Sequence, residues 1–337
     1  MKIIDFENHF FTQEYIAHVR GRKDPLREEV LKNGTRMWYT EDFFTPRSFE
    51  LEDKLLDLGE GRLKIMDANG IDIAVLSLSG PNVHFFEPSE GATWARKVND
   101  ELSKVVKRYP DRFIGLACVA PQSPDEAADE VERAVTELGL QGVVIQSYAR
   151  NKYLDDKKYW VIFEKAEKLD VPIYLHPEIP PEPNLKLYAD YGFPLAGPIL
   201  GYAADASLHT MRLIYSGLFD KYPRLKMVLG HLGEGLVFFL NRIDFCWLKP
   251  WVKERPNIEK RPSDYIKTNF TVTISGMSFH PALMCTYLAL GADNIAFATD
   301  YPYETMEESV QFMKEALLCD TDKEKIYHLN AERLFKL

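Results

Sequence analysis

Short apolar, β-branched runs of strand length recur along the chain: KIIDF, IDIAVLSL, FIGLACVA, GVVIQS, PIYLHP, KMVLGHL, FTVTIS and IAFATDYP. Between most of them the apolar period lengthens from two residues to nearly four. GATWARKVNDELSKVVKRYP, SPDEAADEVERAVTELGL and YWVIFEKAEKLD read as amphipathic helices. In the second of these, Ser123 is placed to cap, Glu126 to complete a capping box and Gly139 to close the C-terminus. Strands alternating with helices predict a parallel α/β sheet, and eight such units predict its closure into a (β/α)8 TIM barrel.

Two stretches exceed a minimal strand–helix unit. Residues 10 to about 60, with the aromatic, turn-rich WYTEDFFTPRSFE, read as an insertion after strand one. PEIPPEPNLKLYADYGFPLAGP follows strand five. Both leave the C-terminal ends of strands, where barrel active sites are built, so a cap is expected there. With no internal repeat, low-complexity tract or flexible linker, residues 1–337 read as a single domain. LVFFLNRIDFCWLKPW is interrupted by Asn241, Arg242, Asp244 and Lys249. It falls short of the ~20 apolar residues of a membrane span and reads as a packed helix.

Composition narrows the partners. A hydrophobic content of 46% in 337 residues can bury a large core. The 41 basic and 51 acidic residues give a net charge of -10 without a basic block, which argues against nucleic acid and anionic membrane as partners. The N-terminus passes directly into a strand-like segment carrying Asp5 and Glu7, without the features of a signal peptide, so a cytoplasmic location is expected. Cys118, Cys246, Cys285 and Cys319 lie far apart with no C-x-x-C, and are expected to be reduced and mostly buried. Any metal must therefore be sought among His, Asp and Glu.

Those residues gather at strand ends. In MKIIDFENHF, Glu7 and His9 are two apart and share one face of strand one. His176 ends strand five, His231 ends strand six in LGHLGEG, and Asp300 ends strand eight in ATDYP. One histidine at an apolar strand end is usually a satisfied core residue. A glutamate, three histidines and an aspartate at four strand ends instead suggest a centre for Mn2+ or Zn2+.

With ENHF, LLDLGEGRLKIMDANGID, VNDELSKVVKRYPDRFIGL, YLHP, HTMRLIYSGLFDKYPRLKMVLGHLGEGL, ATDYPYE and NAERLFKL in this order, nearly the whole chain resembles the amidohydrolase superfamily. The similarity is to its metal-dependent decarboxylase branch, which includes the γ-resorcylate, 5-carboxyvanillate and aminocarboxymuconate semialdehyde decarboxylases. The resemblance implies one divalent ion held by Glu7, His9, His176 and Asp300. Glu7 stands where the superfamily more often has a histidine, as in dihydroxybenzoate-type members. That favours aromatic decarboxylation and makes Mn2+ plausible beside Zn2+.

The resemblance also assigns His231 and Glu234 to the GHxGE pair, with the histidine near substrate and the glutamate supporting proton transfer. It places Arg47, Ser79 and Arg242 at substrate-contacting positions, Arg242 reaching a neighbouring subunit; a solvated loop charge and a helix-surface salt bridge are the competing readings for the two arginines. His84 stands where several relatives carry Gln, and His209 matches the family with packing or catalysis open. Tyr301, Tyr303 and Phe10 are expected to line an aromatic pocket or pack the core, while His18, His280 and His328 read as structural or surface.

The expected reaction is non-oxidative, reversible decarboxylation of a hydroxylated aromatic acid. Asp300 or the His231–Glu234 pair would be the proton donor. A hydrolase or hydratase on the same barrel and a non-catalytic binding barrel are the alternatives. The aromatic segments WYTEDFF and GLVFFLNRIDFCWLKPW further predict a homodimer or homotetramer.

Overall fold

Each of the eight apolar runs forms a strand: Ile4–Phe10, Ile73–Leu78, Phe113–Cys118, Gly142–Gln146, Ile173–His176, Met227–Leu229, Phe270–Thr273 and Ile295–Ala296. They pair in parallel in chain order and are numbered one to eight below. The computed structural model describes residues 1–32, 36–40, 43–249, 251 and 255–337, with the backbone alone at 36, 37, 39, 40, 43–47, 49 and 189.

Strand eight is short, and the segment beyond it closes the barrel onto strand one. Phe6 N donates to Phe297 O at 2.9 Å, His9 N to Tyr301 O at 2.7 Å, and Asp300 N to Glu7 O at 3.1 Å. The buried Asp5 carboxylate reinforces the seam by accepting from Thr299 N at 2.8 Å and Thr299 Oγ1 at 2.6 Å. Closure thus carries Asp300 to the end of the strand that bears Glu7 and His9. The fold is the (β/α)8 TIM barrel expected from the sequence.

Strand alternation sorts the core into two layers. Ile4, Phe6, Val75, Ile114, Leu116, Val144, Tyr174 and Val228 fill the barrel, which Ala331, Leu334 and Phe335 of the final helix plug, Phe335 stacking on Phe6 at 5.4 Å. The other strand faces, such as Ala74, Leu76, Phe113 and Val143, pack outward against the helices.

The three helices read from the sequence appear as Pro88–Arg108, Pro124–Thr136 and Trp160–Leu169. Ser123 does not cap through its side chain; its carbonyl accepts from Ala127 N at 2.8 Å, and Pro124 supplies the first helical turn without an N–H to satisfy. Gly139, at φ +77°, turns the chain so that Leu140 N reaches Ala134 O at 2.9 Å. The cysteine expectation is corrected in part. All four are free, but only Cys118 is buried; Cys246, on the helix Leu236–Trp247, and Cys319, just before the helix Asp320–Glu324, are exposed.

After strand one the chain forms a helix, Gln13–Gly21, and a separate antiparallel sheet of Arg27–Val30, Arg36–Thr40 and Phe43–Arg47. Fully buried Trp38 anchors this sheet, its ring 5.1 Å from Phe11 and its Nε1 donating to Glu28 Oε2 at 2.9 Å. LVFFLNRIDFCW forms the helix Leu236–Trp247, which packs through Leu236, Val237 and Leu240. Among the described residues no helix is long and apolar enough to cross a membrane.

Candidate metal and active site

Glu7 and His9 point together from strand one as period two requires, and both are fully buried. His9 Nε2 lies 3.4 Å from Glu7 Oε1 and 3.0 Å from Asp300 Oδ1, while His176 Nε2 lies 3.6 Å from Glu7 Oε1. One ligand atom each from Glu7, His9 and His176 falls within 4.8 Å of the others, as does the set Glu7, His231 and Asp300. Among the described residues Glu7 Oε2 and His9 Nε2 have no partner in hydrogen-bond geometry, although both are buried. Buried polar atoms are rarely left so. A divalent ion would satisfy both, and the mixed carboxylate–imidazole donor set suits Mn2+ or Zn2+.

The imidazoles are held from behind. Ser77 Oγ lies 3.3 Å from His9 Nδ1, and Gln146 Oε1 lies 3.0 Å from His176 Nδ1, so both Nε2 atoms face the cluster. Tyr174, one turn of the pleat before His176, donates its hydroxyl to Glu7 Oε1. Arg62 is also buried; it donates to the carbonyls of His9 at 2.7 Å, Asp57 at 2.9 Å and Lys54 at 3.0 Å, pinning the end of strand one.

Electrostatics favour a cation here. Burial opposes charge on Glu7, but the adjacent His9 imidazole, together with the fields of His231 and His176, holds its carboxyl far below the ordinary range. Burial likewise opposes protonation of His9, yet Asp300 and Glu7 push its imidazole up to about 10. The same two carboxylates would attract a metal ion in the proton's place. Burial and the neighbouring His9 draw His176 down to about 4, leaving the neutral ring a ligand must be.

On the opposite wall, His231 Nδ1 lies 2.6 Å from Glu234 Oε1 and Nε2 lies 3.8 Å from Asp300 Oδ2. Burial would lower the His231 pKa, but Glu234, Asp300 and Glu7 carry it well above the usual value. The local backbone is unusual. From His231 to Gly235, φ is 50°, 53°, 81°, 54° and 81°, a left-handed turn, and Asp300 is also at φ 65°. L-residues enter this region at a cost of about 1–2 kcal/mol each, and such strain concentrates at functional sites.

Of the remaining expected residues, Ser79 is buried and its hydroxyl lies 2.6 Å from that of Tyr303. Tyr303 in turn sets its ring edge-on, 5.6 Å from His9. Tyr301 packs its ring on the Arg62 guanidinium at 5.1 Å, and Phe10 is a fully buried core residue. His84 is buried, with Nδ1 3.0 Å from Asn82 Oδ1 and Nε2 3.7 Å from Glu178 Oε2. His209 is buried within the helix Gly201–Tyr215 and accepts from Leu154 N at 3.1 Å. Arg242 is exposed on the helix Leu236–Trp247 and forms no ion pair among the described residues. The Arg47 side chain lies outside the described residues. His18 stacks on Trp94, His280 stacks on Phe312 and His328 lies beside Glu332, all away from the cluster.

Sequence reasoning missed Tyr174, Gln146, Glu178 and Arg62. Two of them left a signal: Tyr174 shares the His176 face by period two in IYLHP, and Gln146 is the polar end of GVVIQS.

The amidohydrolase family profile matches residues 4–337. Over 305 residues the chain is 38% identical to the γ-resorcylate decarboxylase of Rhizobium radiobacter, covering 87% of this chain and 92% of that one. Among solved structures, the 5-carboxyvanillate decarboxylase LigW from Sphingomonas paucimobilis superposes with a TM-score of 0.90 at 34% identity, covering 100% of this chain and 99% of that one. The dihydroxybenzoic acid decarboxylase from Polaromonas sp. JS666, solved with bound manganese and the inhibitor 2-nitroresorcinol, superposes with a TM-score of 0.86 at 34% identity, covering 100% and 97%.

Proposed function

The chain belongs to the amidohydrolase family, and on that premise we propose that it is a metal-dependent carboxy-lyase acting on a hydroxylated aromatic acid such as a dihydroxybenzoate. One observation carries the reading. Glu7, His9, His176 and Asp300 converge opposite a His231–Glu234 pair at 2.6 Å, in a chain 38% identical to an aromatic-acid decarboxylase. Those four residues would hold one divalent ion, Mn2+ or Zn2+. When bound, that ion supplies Lewis-acid attraction for the carboxylate and a neighbouring phenolic oxygen.

The protein's own groups then move one proton. Glu234 accepts from His231 Nδ1, so the imidazole keeps its orientation and presents Nε2–H to the mouth. That proton adds to the ring carbon bearing the carboxylate, and a C–H bond forms. The C–C bond then breaks, its electron pair restores the aromatic ring, and CO2 leaves. Each turnover consumes one proton, and the reverse carboxylation returns it. Asp300, 3.8 Å from Nε2, is the other acid within reach.

Ser79 and Arg47 are assigned to substrate, and the segment 10–60 to a cap over the mouth. Tyr301 is expected to support the site through Arg62. We also assign a homodimer or homotetramer, because the helix Leu236–Trp247 and the residues after it leave Phe238, Phe239, Phe245 and Trp251 at least half exposed, with Arg242 among them. Arg242 would then serve a neighbouring subunit's pocket. Four free cysteines fit the cytoplasmic setting expected from the sequence.

The test is a panel of hydroxybenzoates offered to the Mn2+-loaded protein, with CO2 release and product followed together. Stoichiometric CO2 and the corresponding phenol are expected. Water addition or ester hydrolysis without CO2 would overturn the reading in favour of a hydratase or hydrolase.

A further inference from the structure

His176 shows one ring nitrogen to the cluster and the other to Gln146. Nε2 lies 3.6 Å from Glu7 Oε1, while Nδ1 lies 3.0 Å from Gln146 Oε1. An amide oxygen only accepts, so Nδ1 carries the ring proton and Nε2 keeps its lone pair. Reversing the amide would set an NH2 group against Nδ1 and drive the proton to Nε2. His176 could then no longer ligate.

The placement of Gln146 is built into the sheet. It is the last residue of strand four and pairs in register with His176, the last residue of strand five. Behind it the space is full. A Cβ added at Gly80 would lie 3.5 Å from Gln146 Oε1 and 2.7 Å from Glu178 Oε2, which is itself 3.7 Å from His84 Nε2. In this orientation the Gln146 amide nitrogen is buried without a hydrogen-bond partner among the described residues. An unsatisfied buried donor is uncommon and points to a constraint other than packing.

We propose that Gln146 is a positioning residue that selects the Nδ1–H tautomer of His176 and so makes Nε2 available to the divalent ion. A neutral acceptor suits the site, because a carboxylate would orient the ring as well but add negative charge beside an anionic substrate. The inference rests on the metal reading of the cluster above and not on the identity of the reaction.

Metal-stripped protein titrated with Mn2+ by calorimetry tests it. Gln146→Met keeps the side-chain length and removes the acceptor, and Mn2+ affinity is expected to fall about 10–100-fold. Gln146→Glu restores an acceptor and is expected to bind Mn2+ within a few-fold of wild type while raising KM for a hydroxybenzoate more than it lowers kcat. Imidazole 15N resonances of the metal-free protein should show the His176 proton on Nδ1 in wild type and shifting toward Nε2 in Gln146→Met. Unchanged affinity and tautomer in Gln146→Met would overturn the assignment. If that variant does not fold, Gln146→Asn, which withdraws the amide by one methylene, carries the same expectation, and wild-type affinity there overturns it equally. Should no acid be decarboxylated while Mn2+ affinity follows this order, the positioning role is supported and the decarboxylase reading alone fails.

Discussion

Replacing His231 by Asn removes the proton that the pair with Glu234 holds and leaves the proposed metal ligands in place. The choice of Asn follows from the backbone: His231 is at φ 50°, where Asn is tolerated and Ala would add strain of about 1–2 kcal/mol. An amide can still donate toward Glu234, but it cannot deliver a proton to carbon. General acid groups contribute about 10²–10⁴-fold, which at about 1.36 kcal/mol per factor of ten corresponds to roughly 2.7–5.4 kcal/mol of barrier. The lower end applies if Asp300, 3.8 Å from Nε2, takes over part of the transfer. Single-turnover CO2 release under saturating Mn2+ isolates the chemical step, and metal analysis on the same sample separates it from ion loss. His231→Asn combined with Glu234→Gln should be no slower than His231→Asn alone, because the two residues act as one unit. A rate within about tenfold of wild type at full Mn2+ occupancy would refute the role and leave Asp300 as the acid.

Three further outcomes are expected. His176→Ala should lose metal and activity together, as measured by metal analysis and CO2 release; full occupancy with normal turnover would remove His176 from the ligand set. Burial raises the carboxyl of Asp205 from 3.8 to about 7, against a hydrogen bond donated by the Tyr153 hydroxyl. Its folded pKa exceeds the unfolded one, so stability present below about pH 4 is lost as pH rises to about 7, a penalty on the order of a few kcal/mol. Asp205→Asn should therefore gain in denaturation midpoint relative to wild type between pH 5 and pH 8, and parallel pH profiles would contradict the burial argument. Phe238→Asp together with Phe239→Asp should reduce the sedimenting mass and lower activity with it; a wild type that is already a fully active monomer would remove both the interface and the reason for placing Arg242 near a pocket.

The barrel was legible in the sequence because its signals are local. Strand runs, helix periods and polar strand ends are written within a few residues of one another, and the pleat alone places Glu7 beside His9. Distance along the chain hides the rest. That Asp300 comes within 3.0 Å of His9 depends on closure of the seam between the first strand and the segment after the last. That Gln146 faces His176 depends on the register of two strands, and a shift of one residue would turn either side chain to the other face. His231 and Glu234 could be named from a motif, but their 2.6 Å contact arises from a left-handed turn that only the surrounding packing holds in place. Sequence by itself determined which residue types stand at the mouth of the barrel. Tertiary structure decided which of their atoms face one another, because register, closure and backbone handedness are set by the assembled sheet and not by any one of its strands.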